Sequence, residues 1–355
     1  MNLRFWRGRD SVLYFLRSRA RADDQLDLSI AEELRKCLGG SNARFVLCAP
    51  GAAILKAAGW PVIEQGFCES EDFLQAMIAA ARIISSVRPA VVVSHEQFSA
   101  LPAARIAGVP AIFVNDWFPA SGSPAGDCLA HAESIIFTQN RGIFPVPLAV
   151  KVQPIYVGPV VRKMRYQLPD RSRARSELGL ADKGVVVSVI PGAWATEEKA
   201  PLLDLALPSF DAAGLGVNRT LVWVAGADHE TVRSRSAGYP VVVFGHCSPI
   251  ERLMVASDLV LTKGDRQTTL ELASLGVPSI STSYAVNPID DLLVPRIRSN
   301  AALHAKAIDS AVLSRCISEA VFAPSNRREP LGLHKCSAEA AAEAVAAEVR
   351  RLAIR

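Results

Sequence analysis

The stretch ASDLVLTKGDRQTTLELASLGVPSIS, residues 256–281, gathers groups able to handle a phosphorylated ligand. An apolar run ends at Thr262, the polar loop KGDRQT follows, and a helical pattern carrying Glu271 leads into Gly276-Val277-Pro278 and another apolar run. A helix start with free N–H groups beside Arg266 and Thr268 suits a phosphate. Glu271, one turn further on, has the reach to accept both hydroxyls of a ribose. The same residues have a purely structural reading, in which Thr268 caps the helix and Glu271 complements its dipole. The pattern alone does not separate the two.

Two other groups end apolar runs. His95 and Glu96 follow AVVVS, and Asn115-Asp116-Trp117 follow AIFV. A histidine titrates nearest neutrality, so a His–Glu pair at a strand end can position or deprotonate a hydroxyl. Asp116 offers the same chemistry, while its plainer reading is a turn with a packed tryptophan. His246 reads as a loop residue, and His131, His229, His304 and His334 join no constellation. Neither GxxxxGK[ST] nor GxGxxG occurs, which argues against a P-loop NTPase and a standard dinucleotide dehydrogenase.

The elements that must hold these groups follow from the apolar pattern. Val12–Leu16, Arg44–Leu47, Ala90–Val93, Ala111–Val114, Ser134–Phe137 and Pro154–Val157 read as strands. So do Val185–Ile190, Leu221–Val224, Val241–Phe244, Leu259–Leu261 and Pro278–Ser281. Val/Ile runs without polar alternation are expected of parallel strands covered on both faces. Helical spacings lie between them, as at Leu26, Ile30 and Leu34, or Phe73, Met77, Ala80 and Ile84. Alternation in both halves implies an α/β protein with two doubly wound parallel-sheet domains. The segment 158–170 reads as the break, and the basic residues Arg162, Lys163, Arg165, Arg171, Arg173 and Arg175 as a solvated linker and helix face. The expected domains are 1–160, 161–336 and a C-terminal helix over 337–355, with Ser337 as its N-cap, packing back on the first domain.

The 256–281 segment resembles the donor-binding segment of the GT-B glycosyltransferases, in particular the family of the peptidoglycan N-acetylglucosaminyltransferase (glycosyltransferase family 28). Thr268 and Glu271 match that family's phosphate-side threonine and ribose-binding glutamate by position. SVIPGAWA (188–195) resembles its glycine loop, placing Gly192, Ala193 and Trp194 at the donor. VFGHCSPIERLMVASDLVL (243–261) resembles the segment holding the uracil, with Phe244 and Gly245. NPIDDL (287–292) resembles the segment that reads the donor sugar, with Asn287, Asp290 and Asp291, and YVGPVVR (156–162) resembles the domain junction. The likeness covers residues 156–297 well, and the N-terminal half only by strand–helix order.

The resemblance implies two Rossmann-like domains facing across a cleft. It also implies sugar transfer from a UDP-sugar to a hydroxyl acceptor, inverting and without a metal, with no cofactor beyond the UDP-sugar substrate. The leaving diphosphate would be held by the 192–194 turn, Lys263, Arg266 and the amides around Thr268. A UDP-sugar hydrolase of the same fold and a non-catalytic nucleotide-sugar-binding protein stay open. The chain departs from the family in two places. Asp265 stands at a phosphate-loop glycine position, and the N-terminal glycine loop with its histidine is replaced by RSRARADDQLDLSIAEEL (17–34), with Asp23 near the histidine slot. Asp23, His95, Glu96 and Asp116 are therefore the candidates for the catalytic base.

Composition sets the remaining bounds. The 355 residues carry 39 Lys+Arg against 35 Asp+Glu, a net charge of +4. This is too weak and dispersed to suggest nucleic-acid binding. Mean hydropathy is +0.21, yet the longest uncharged run, Leu272 to Ile289, contains two prolines and several hydroxyl residues, so no spanning helix is expected. Seven cysteines without CxxC spacing suggest a reducing cytoplasm and no structural metal. The N-terminal MNLRFWRGRD lacks the apolar core of a secretion signal. Its Phe5–Trp6 pair among arginines is suited to an anionic bilayer, so a peripheral location on the inner membrane face is also open. The acceptor class is left as carbohydrate, lipid-linked or small molecule.

Overall fold

The computed structural model describes residues 11–16, 24–39, 44–49, 59–64, 72–119, 121–142, 144–162, 164–191, 196–245, 247, 249–262, 266–283, 300–304, 309–322 and 338–353. The chain divides into two compact units, Met1–Arg162 with Lys335–Arg355, and Lys163–His334. The first runs β1 (Ser11–Phe15), α1 (Asp24–Cys37), β2 (Arg44–Ala49), β3 (Val62–Glu64), α2 (Phe73–Val87), β4 (Val91–His95), α3 (Ala100–Ile106), β5 (Ala111–Asn115), α4 (Pro124–Cys128), β6 (Ser134–Phe137) and β7 (Ile155–Tyr156). The second runs α5 (Arg171–Glu177), β8 (Val185–Ile190), α6 (Thr196–Ala212), β9 (Arg219–Val224), α7 (His229–Arg235), β10 (Val241–Phe244), α8 (Ile250–Ala256), β11 (Leu259–Thr262), α9 (Arg266–Leu275), β12 (Ser279–Ser283), β13 (Asn300–His304) and α10 (Ser310–Phe322). A last helix, α11 (Ala338–Ala353), belongs to the first unit.

Both sheets are parallel throughout. Their orders are β3-β2-β1-β4-β5-β6-β7 and β10-β9-β8-β11-β12-β13. Each therefore reverses direction once, between β1 and β4 and between β8 and β11. Helices cover both faces of the second sheet. Leu203, Leu207 and Phe210 of α6 with Leu313 and Ile317 of α10 pack on Val187, Trp223 and Leu261. Leu253 and Met254 of α8 with Leu272 and Leu275 of α9 pack on Val186, Val222 and Val260. That two-sided burial is why these strands read as unbroken apolar runs.

In the first unit α11 supplies a stripe of Ala342, Val345, Ala346, Val349 and Leu352, one helix face, against Val12 and Tyr14 of β1 and the following Leu16. Arg350 Nη2 donates to Cys37 O at 2.6 Å, satisfying a carbonyl at the end of α1. Helix α2 begins at Asp72, whose carboxylate accepts from Gln75 N at 3.0 Å. It ends at Arg88 in the left-handed region, φ 51°.

The basic cluster of residues 162–175 is not uniformly solvated. Arg162 and Arg175 are buried. Arg175 Nε donates to Ala256 O (2.9 Å), Nη1 to Asp182 O (2.7 Å) and Gly184 O (3.2 Å), and Nη2 to Asp258 Oδ2 (2.7 Å). The same Asp258 oxygen accepts from Val186 N at 2.8 Å, and Arg171 pairs with Asp258 as well. The guanidinium fork thus ties the starts of β8 and β11 together, a geometry lysine does not reproduce.

Candidate functional site

In doubly wound sheets ligands lie outside the carboxyl ends of the strands, at the point where strand order reverses. In the first unit that edge is rich in buried polar groups. His95 ends β4 with no exposed surface, and its Nδ1 lies 3.0 Å from Tyr14 Oη on neighbouring β1. A phenol that donates to Nδ1 goes with the tautomer protonated on Nε2, whereas the opposite tautomer donates from Nδ1 to the phenol. The Tyr14 contact and the tautomer of His95 are therefore linked.

Glu96 follows at φ 51°, with its N–H donating to Val114 O at 3.1 Å, and is 7% exposed. A left-handed backbone at a residue with a Cβ costs of order 1 kcal/mol or more and is typical of functional edges. Asn115 builds a tight turn, its Oδ1 accepting from Asp116 N at 2.9 Å and its Nδ2 donating to Trp117 O. Asp116 is buried within that turn. Trp117 packs edge-on against Phe98 at 5.8 Å, so the turn with a packed tryptophan is present. Thr138 and Gln139 extend the polar edge past β6, and both are buried.

In the second unit β11 ends at the fully buried Thr262, whose carbonyl accepts from Thr282 Oγ1 at 3.2 Å. Arg266 opens α9, Thr268 is half-buried, and Glu271 is 4% exposed. Glu271 Oε1 accepts from Gln267 Nε2 at 3.0 Å, an amide four residues back on the same helix face. Phe244 ends β10 and Gly245 follows it, and Phe244 O accepts from Ala225 N at 2.8 Å. A Cβ on Gly245 would lie 3.7 Å from the side chain of His229 and 3.6 Å from Gly226 O. His229, assigned no role by sequence, therefore stands against Gly245, with its Nε2 2.9 Å from Glu230 Oε1.

Asp23, Gly192, Ala193, Trp194, Lys263, Asn287, Asp290 and Asp291 lie outside the described residues, as do His246, Asp265 and Ser337. Among the described residues no group of three or more His, Cys, Asp or Glu side chains could hold a metal ion. Nor among them is any helix long and apolar enough to cross a membrane. Cavities of 560 and 490 Å³ open in the first and second units, lined by Pro89, Ala90, Pro110 and Glu133 and by Arg171, Arg175, Gly184 and Asp258. Both sit at the amino ends of strands, the wrong edge for a doubly wound ligand site.

No protein-family model matches the chain. It is 23% identical over 247 residues to an uncharacterized glycosyltransferase, MK0977, of Methanopyrus kandleri, covering 63% of this chain and 65% of that protein. The chain thus spans a little under two thirds of this curated relative. MurG of Acinetobacter baumannii superposes with a TM-score of 0.67 at 13% identity, over 96% of this chain and 99% of its own. The glycotransferase of kitacinnamycin gives 0.69 at 15% identity, over 97% and 100%. Os79 from O. sativa, solved in complex with UDP, gives 0.69 at 16% identity, over 96% and 100%.

The chain has the GT-B glycosyltransferase fold. Its two reversal points, at β1/β4 and β8/β11, are those of a GT-B protein's paired Rossmann-like sheets. Four residues of the GT-B edges were missed from sequence: Tyr14, Gln139, His229 and Gln267. The Gln267–Glu271 spacing was readable as an i,i+4 pair. Tyr14 was a phenol inside the apolar run Val12–Leu16. His229 and Gln139 carried no local signal, since each acquires meaning only from a neighbouring strand.

Proposed function

We propose that the protein transfers a hexose from a UDP-sugar to an acceptor hydroxyl, with inversion at the anomeric carbon. The second unit holds the donor: Glu271 accepts the ribose hydroxyls, the turn after Phe244 and Gly245 holds the base, and Thr268 and Arg266 at the start of α9 hold the diphosphate together with Lys263 and the 192–194 turn. Asn287, Asp290 and Asp291 read the donor sugar. The first unit presents the acceptor at the His95–Glu96–Asp116 edge. One of those groups, or Asp23, removes the hydroxyl proton as the oxygen attacks the anomeric carbon. The bond from that carbon to the diphosphate breaks on the opposite face, and UDP leaves carrying the charge, which helix N–H groups and cations stabilise.

The observation that carries the reading is Glu271, a nearly buried carboxylate on the helix that follows β11 at the reversal point of the second sheet. The name of the Methanopyrus relative and the UDP complex of Os79 support the same chemistry. Glu271→Ala removes charge-assisted hydrogen bonds worth about 1.5–3 kcal/mol, so UDP affinity by calorimetry should fall roughly ten- to hundredfold. Unchanged affinity in a variant with native circular dichroism would leave Glu271 as a partner of Gln267 and the helix dipole only.

A further inference from the structure

Among the described residues, Gln139 is 1% exposed and neither its Oε1 nor its Nε2 has a hydrogen-bond partner. Buried polar groups are partnered in roughly nine cases of ten or more, by protein or by ordered water. Trp223, Thr269 and Ser281 each leave a single atom open, whereas Gln139 leaves an acceptor and a two-proton donor open together. The position is also specific. Thr138 N and Oγ1 both donate to Asn115 O, at 2.8 and 3.2 Å, which fixes this segment against the end of β5. Asn115 pairs with Phe137 at the end of the β5–β6 ladder, so Gln139 follows two residues later on the same sheet edge as the Asn115–Trp117 turn.

We propose that Gln139 reads a pair of hydroxyls on the acceptor, which makes the acceptor a carbohydrate. A carboxamide offers one accepting oxygen and one donating nitrogen side by side, and two neighbouring sugar hydroxyls each give one and take one. A site built to bond a hydroxyl discriminates strongly against molecules lacking it, because its own polar atoms are then left unpaired. This inference rests on the transfer reading above and names the acceptor class for its first-unit edge. Both amide atoms are covered in this structure, so the sugar enters with a local shift of the chain around Gln139.

The test uses the full chain and two variants of different shape, Gln139→Leu and Gln139→Met. Without ligand, removing an unpaired buried amide should raise the melting temperature by about 2–6 °C. With UDP present, saturation-transfer NMR against a panel of methyl hexosides and methyl N-acetylhexosaminides should show binding to the wild type. That binding should weaken at least about tenfold in both variants, with UDP affinity unchanged. A lower melting temperature, or loss of the folded state in both variants, would mean the amide is paired in solution, and overturns the proposal. So does glycoside binding that the variants leave intact, or its absence from a wild type that binds UDP. If the wild type does not bind UDP the donor reading fails instead, and the melting temperatures still judge Gln139.

Discussion

Arg175→Leu should destabilise the second unit by about 2–4 kcal/mol, close to the range for breaking a buried pair. The guanidinium, with its side chain 3% exposed, makes a charge-assisted bond to Asp258 and strong bonds to the carbonyls of Ala256 and Asp182. Hydrogen bonds to charged groups contribute roughly 1.5–3 kcal/mol each before desolvation is counted. Burial opposes the charge, holding Arg175 below the usual arginine pKa, and this offsets part of the gain. Asp258 is not orphaned by the change, because Val186 N and Arg171 still reach it. Water can also enter from the adjoining cavity to reach the freed carbonyls. Those two features keep the loss below the upper end of about 5 kcal/mol for a stranded buried charge. Scanning calorimetry should show the affected transition falling by about 4–16 °C. Arg175→Lys should recover less than half the loss, since one ammonium replaces a fork bonded on three sides. A shift under about 2 °C for Arg175→Leu would refute the reasoning and show that desolvation cancels the bonds.

Three further outcomes are expected. If His95 or Asp23 is the base, its variant (His95→Gln or Asp23→Asn) loses at least about 100-fold in turnover with UDP binding intact, and equal turnover in both refutes the assignment. Tyr14→Phe removes the buried hydrogen bond to His95 Nδ1 and should cost about 1–3 kcal/mol in urea unfolding; no change would mean the pair does not form in solution. Arg351 holds the Glu348 carboxylate below its usual 4.5, so its contribution to stability is full above that value and is lost as pH falls through the lower folded one. Glu348→Gln should therefore flatten the stability profile below about pH 4.5 and leave its slope unchanged near pH 7.

The interior strands were legible because parallel strands buried on both faces run apolar without polar alternation, as VVV (91–93) and AIFV (111–114) do. The two strands without such a signal, β3 and β13, are the outermost of their sheets. Val62–Glu64 is three residues long, and Asn300–His304 has no β-branched residue; sheet edges need neither length nor two apolar faces. Arg175 was misread because composition marks a helix as basic without saying which of its arginines turns inward. The Glu271 segment was legible from residue type and spacing, since its parts are contiguous. Tyr14 and His95 are 81 residues apart and meet only through the β1–β4 pairing. The left-handed turn at Glu96 is a backbone property that its residue type does not announce.

The most direct test incubates the full chain with UDP-, dTDP- and GDP-sugars and a panel of methyl glycosides, and resolves the products by mass spectrometry and NMR. The account predicts UDP release coupled to a new glycoside whose anomeric configuration is opposite to the donor's. Free sugar released at the same rate without acceptor, an isomerised nucleotide sugar, or no product and no UDP binding would contradict it.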